Sequence, residues 1–237
     1  MQQHSKLRSV ILHLYPGIFI TLFFVLVTPW LVDKGYPPQF SMLLAILLVV
    51  VPLLAGHLFW ERKQENKTRF QELIGLRNRL SAGRLILYVL GLVVWAFLVW
   101  GITQPLDLWI TKNLFSWLPD WYTVYDFKGY PKDKIVLTLG LNLVLNGLLA
   151  PVVEELYFRG FLLPRMEAFG KLAPVANAVL FSLYHLWQPY VYITLIIALI
   201  PMVYVTWKTG DWRVSLFTHG LLNLVGAVLG LLAAVGG

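Results

Sequence analysis

Cysteine is absent from all 237 residues. Disulfides, thiolate metal sites and cysteine nucleophiles are therefore excluded, and nothing more about compartment follows. Charge is scarce as well: Asp, Glu, Lys and Arg make up 13% of the chain, against ~25% in soluble domains. No H-E-x-x-H run, internal repeat or low-complexity linker is present. What fills the chain instead is hydrophobic, at 58% of all residues. That balance excludes an ordinary soluble domain and predicts an all-α, polytopic membrane bundle. At ~20 residues per span plus short loops, six to eight helices fit, in one membrane domain over residues 1–237. The net charge of +7 is read as loops held against an anionic lipid surface, not as nucleic-acid binding.

Seven apolar runs are long enough to cross: about 10–32, 40–60, 85–103, 134–163, 172–187, 190–207 and 214–235. The first lacks a small-residue cleavage pattern and reads as a retained helix. Pro52 predicts a kink in the second. The polar stretch 61–84 predicts a surface helix around Phe70, Leu73, Ile74 and Leu76. The stretch 104–133, rich in Trp and Tyr, reads as a segment anchored at headgroup level. His4, His13 and His57 read as terminal, headgroup-facing or interfacial. With seven spans, 13 Lys and Arg fall on the side of the N-terminus and five on the other. The positive-inside rule then makes the N-terminus cytoplasmic.

Against this background the run Ala150-Pro151-Val152-Val153-Glu154-Glu155-Leu156-Tyr157-Phe158-Arg159-Gly160 stands out. Each charge costs ~2.5–3.5 kcal/mol at a helix centre, so three cost on the order of 8–10 kcal/mol at full depth. Intramembrane ionisable groups are functional candidates by default. Glu155 and Arg159, four apart, can pair on one helical face. Glu154 is left without a partner in its own helix. Two further polar marks follow, His185 in the fifth run and His219 with Asn223 in the seventh. His219 and Asn223 are four apart and share a face. Counted at 1.5 Å per residue from the basic ends, Glu154 lies ~16 Å deep, His185 ~21 Å, His219 ~9 Å and Asn223 ~15 Å. These depths are compatible with one common site. Pro151 cannot donate to the carbonyl four residues back, which opens the helix just before Glu154.

A carboxylate pair, two imidazoles and an amide are the inventory for activating a water and stabilising an oxyanion. The motifs E-E-x-x-x-R (Glu154, Glu155, Arg159), F-x-x-x-H (Phe181, His185) and H-x-x-x-N (His219, Asn223), in that order on separate apolar segments, resemble the CPBP family. This is the CAAX-protease and bacteriocin-processing group of intramembrane proteases. The resemblance covers about residues 134–228, the expected catalytic core. It implies a metal-free endopeptidase in which Glu154 is the general base and His185 helps hold the water. His219 and Asn223 would stabilise the oxyanion, and Glu155 with Arg159 would form a supporting ion pair. It also implies a membrane-associated protein or peptide substrate, prenylated in the CAAX case. Likeness to prokaryotic members implies the plasma membrane.

Two other readings stay open at this point. Glu154, His185 and His219 form a possible zinc set of two His and one Glu, with a water as fourth ligand. A non-catalytic scaffold or immunity protein would use the same polar groups only to hold helices together.

Overall fold

The computed structural model describes residues 2–236. Seven helices follow one another: α1 Lys6–Asp33, α2 Pro38–Gln64, α3 Ala82–Asn113, α4 Lys132–Arg165, α5 Ala173–Tyr184, α6 Tyr192–Thr209 and α7 Arg213–Gly236. Among the described residues there is no β-strand, only one isolated bridge between Arg77 and Asp211. Six helical stretches are long and apolar enough to span a membrane, α6 together with the short turn before it. The exception is α5. Its 12 residues reach about 18 Å, short of the ~30 Å hydrocarbon core. The fifth run thus has the expected apolar character but ends early, because the backbone leaves the helix at His185 (φ −76°, ψ 51°).

The helices close into a ring in which α1, α5, α6, α3, α7, α4 and α2 each touch the next, and α2 returns to α1. Their outer faces are apolar and exposed, as at Leu26, Leu87, Ile102 and Leu232. Polar groups are turned inward instead: Thr28, Asn142, Glu155, Arg159 and Asn177 are all buried. This inside-out pattern is what lipid demands, since only protein can satisfy these groups there. The protein is an integral membrane protein with several spans.

Proline shapes two of the long helices in a repeated way. A π-helical turn precedes Pro52 (Ile46–Val50), Pro151 (Leu145–Leu149) and Pro164 (Leu156–Leu162). In each case the residue just before the proline donates its N–H five residues back: Val51 to Ile46, Ala150 to Leu145 and Leu163 to Phe158. A proline has no N–H and its ring crowds the carbonyl four residues earlier. One extra residue in the turn relieves that crowding. Pro52 therefore acts through a π turn. Proline alone is not sufficient, because Pro16, Pro29, Pro105 and Pro201 sit inside α-helices.

Backbone bonds gather the basic segments at one end. His4 N–H donates to the Arg165 carbonyl at 2.9 Å, Gly75 to Gly160 at 3.0 Å and Asn78 to Gly210 at 2.8 Å. These are the segments that the charge count places together. The stretch after α2 is not a surface helix, however. It holds one short turn, Phe70–Glu72, and runs as a strap across the bundle end. Its Leu73 is buried in the core, and its carbonyl accepts from Arg165 at 2.9 Å. Burying one leucine and satisfying one cation outweighs the weak helical pattern.

The aromatic stretch is also corrected. Its first part continues α3 to Asn113. Trp109 and Trp117 are exposed, as an anchor requires. Trp121 and Tyr122 instead fold back onto Phe24 of α1, with ring centroids 6.0 and 5.5 Å away. The histidines differ from expectation too. His13 is fully buried between Ser9 and Asn177, His4 is covered by Phe161, and His57 is half-buried against Tyr157 and Glu61. Glu61 and Asp107 are buried as well, held by Arg8 and Thr194.

Candidate active site

Glu154 and Glu155 close the short α-helical stretch between two π turns of α4. Adjacent residues on a helix point ~100° apart, so the two carboxylates face different surroundings. Glu155 turns into the protein. Its Oε1 accepts from Arg159 Nη1 at 2.9 Å, and neither side chain is exposed. The same oxygen meets His219 Nδ1 at 2.9 Å. The Arg159 guanidinium lies 3.9 Å from the Phe181 ring centroid, a close cation–π contact. The expected ion pair is therefore present, fully buried inside the bundle.

Glu154 turns into a cavity of about 130 Å³. Its Oε1 accepts from the Tyr184 hydroxyl at 2.9 Å, and its Oε2 stands 3.9 Å from His219 Nε2. Tyr184 is the partner that Glu154 lacks in its own helix. The aromatic side chain sits fully buried at the last turn of α5. Gly17 lets α1 approach closely here, since a Cβ at that position would strike the Tyr184 carbonyl.

His185 and Asn223 line the same cavity. His185 Nδ1 donates to the Phe181 carbonyl at 2.8 Å, which leaves Nε2 as the free nitrogen. Its ring packs against Trp187 at 4.8 Å. Asn223 Nδ2 donates to the Asn146 carbonyl at 2.8 Å. The four residues singled out on three separate segments thus meet at one cavity, and Glu155 with Arg159 stands directly behind it. Among the described residues, no three His, Asp or Glu side chains are grouped so as to hold a metal ion.

The π turn before Pro151 has a consequence for this cavity. Over the twelve residues from Asn142 to Glu154, an uninterrupted α-helix would rotate the second side chain ~120° away from the first. The extra residue of the π turn takes back ~100°. Asn142, Asn146, Ala150 and Glu154 accordingly line one cavity wall.

Sequence reasoning placed Tyr184 within a motif but gave it no role. Asn142, Asn146 and Gln39 were passed over entirely. The signal available is that Asn142 and Asn146 fall inside the apolar run 134–163, while Gln39 stands just before the run 40–60.

The fold is that of a polytopic membrane protein whose ionised groups converge on an internal cavity. Residues 137–225, which hold all three motifs, match the family described as type II CAAX prenyl endopeptidase Rce1-like. This stretch, somewhat over a third of the chain, is thus similar to a family of CAAX-type intramembrane proteases, which are hydrolases. No curated protein and no solved structure matches it.

Proposed function

We propose that the chain cuts a membrane-associated, CAAX-like protein by a glutamate-activated water. Glu154 is the base. A water about 2.8 Å from both Glu154 Oε2 and His219 Nε2 fits across their 3.9 Å gap. Glu154 takes a proton from this water as its oxygen bonds to the scissile carbonyl carbon. The tetrahedral intermediate then expels the amine, which receives the proton back from Glu154.

The remaining residues position and stabilise. His185, fixed through Nδ1, offers Nε2 to the water. A carboxylate only accepts, so the His219 nitrogen that meets Glu155 carries a hydrogen. Its Nε2 faces the cavity, on the side where the oxyanion forms. Asn223 Nδ2 donates to the Asn146 carbonyl at 2.8 Å and, more weakly at 3.5 Å, to its Oδ1; exchanging the weaker bond turns one hydrogen to the same oxyanion. Arg159 keeps Glu155 charged and in place, as a second-tier carboxylate does for a histidine.

The observation that carries this reading is the convergence of Glu154, Tyr184, His185, His219 and Asn223 on one cavity. In a prokaryote the membrane concerned would be the plasma membrane. The test uses purified protein in detergent with a farnesylated CAAX-type peptide, its unprenylated twin and a panel of plain membrane peptides. Cleavage that survives stringent chelation is expected. Activity lost on chelation and restored by zinc would reinstate the metal reading. No cleavage across the panel would favour the scaffold.

A further inference from the structure

Gln39, in the first turn of α2, is 3% exposed and lines the same cavity as Glu154. Its Nε2 donates to Asn142 Oδ1 at 3.1 Å, but its Oε1 is buried with no hydrogen-bond partner. A buried amide oxygen left unpaired costs about 1–3 kcal/mol. Of the eleven buried side-chain atoms left unpaired among the described residues, Gln39 Oε1 alone belongs to a residue that lines this cavity. Next to it, the aligned wall Asn142, Asn146 and Ala150 leads ~18 Å along α4 to Glu154. The wall therefore presents carboxamides at one end and the proposed base at the other. Among the other lining residues Met42, Leu43 and Leu195 are apolar, and Gln188 adds a further carboxamide.

Carboxamides between apolar walls suit one ligand chemistry above others: an extended peptide backbone, uncharged and carrying both N–H and C=O groups. A charged ligand would find no counter-ion on this wall. A purely hydrocarbon ligand would leave Oε1 of Gln39 unpaired. We infer that Gln39 accepts a hydrogen bond from a backbone N–H of the substrate, so that Gln39 and Asn142 form a backbone-binding subsite about five extended residues from the bond to be cut. This rests on the peptidase reading above and adds where and how the peptide is held. Gln39 lies outside residues 137–225, so the subsite joins the first half of the chain to the half that matches the family.

The experiment uses whichever CAAX-type peptide, farnesylated or plain, the wild-type protein cuts. Each backbone amide near the cut is replaced in turn by an ester, which removes one N–H. One position should lose about three- to tenfold in kcat/KM, mostly through KM. In Gln39→Met the parent peptide should show that loss already, and the ester should add nothing. Gln39→Glu keeps an acceptor and should keep the ester effect. If Gln39→Met does not fold, Gln39→Asn withdraws the amide by one methylene and carries the same comparison. An ester penalty that is equal in wild type and variant, or found at no position, overturns the subsite while leaving the peptidase reading intact. A wild-type protein that cuts neither parent peptide overturns both.

Discussion

The Tyr184 hydroxyl donates to Glu154 Oε1 at 2.9 Å, bridging two buried side chains that are 30 residues apart. The bond fixes one carboxylate oxygen and turns the other towards His219. Tyr184→Phe removes only the hydroxyl and keeps the ring packing. A hydrogen bond to a charged group contributes about 1.5–3 kcal/mol. Steady-state kinetics should show kcat reduced by about tenfold or more, with KM little changed and thermal stability near wild type. A change in KM alone would assign Tyr184 to substrate binding instead.

Arg159 is fully buried and has Glu155 as its carboxylate partner. Arg159→Leu leaves buried Glu155 with the His219 ring as its remaining partner, a change that costs up to about 3–5 kcal/mol. Thermal unfolding in detergent should show a large drop in midpoint. Adding Glu155→Gln should recover much of it without restoring activity. If the single variant is as stable as wild type, the pair is not holding the site together.

These contacts mark the boundary of what is legible in the chain. Hydropathy located the runs because each averages over about 20 residues, and i, i+4 spacing located Glu155 with Arg159 and His219 with Asn223. Neither rule reports which face is covered by a neighbour. His13 and Asn177 look unremarkable in their own helices, yet they bond to each other at 2.9 Å across 164 positions. The shortness of α5 was hidden because residues 186–191 remain apolar enough to extend a hydropathy window. The π turns were hinted at only by Pro52, Pro151 and Pro164. Their effect on Asn142 depends on one inserted residue that no composition rule sees.

His4 gives the protein a pH-dependent end. Burial lowers its pKa from 6.5 to about 4, and the neighbouring cations Arg8 and Arg165 add to this. The unfolded chain takes up this proton near pH 6.5, and the folded protein only near pH 4. Between these values the unfolded state binds more protons, so stability falls as pH falls through this window. Below about pH 4 the loss is complete, on the order of 3 kcal/mol. Unfolding measured from pH 7 to pH 4 should decline more steeply for wild type than for His4→Gln. Parallel curves would show that His4 is not the titrating group.

The central claim is that the Glu154 carboxylate takes the proton from the attacking water. The direct measurement is kcat of purified Glu154→Gln on a peptide that wild-type protein cuts, with folding checked by thermal unfolding. Glutamine keeps the shape and the bond from Tyr184 but cannot act as a base. The account predicts a folded protein with cleavage reduced by at least about a hundredfold, the lower range for lost acid–base catalysis. A folded Glu154→Gln that cuts within a few fold of wild type would contradict it.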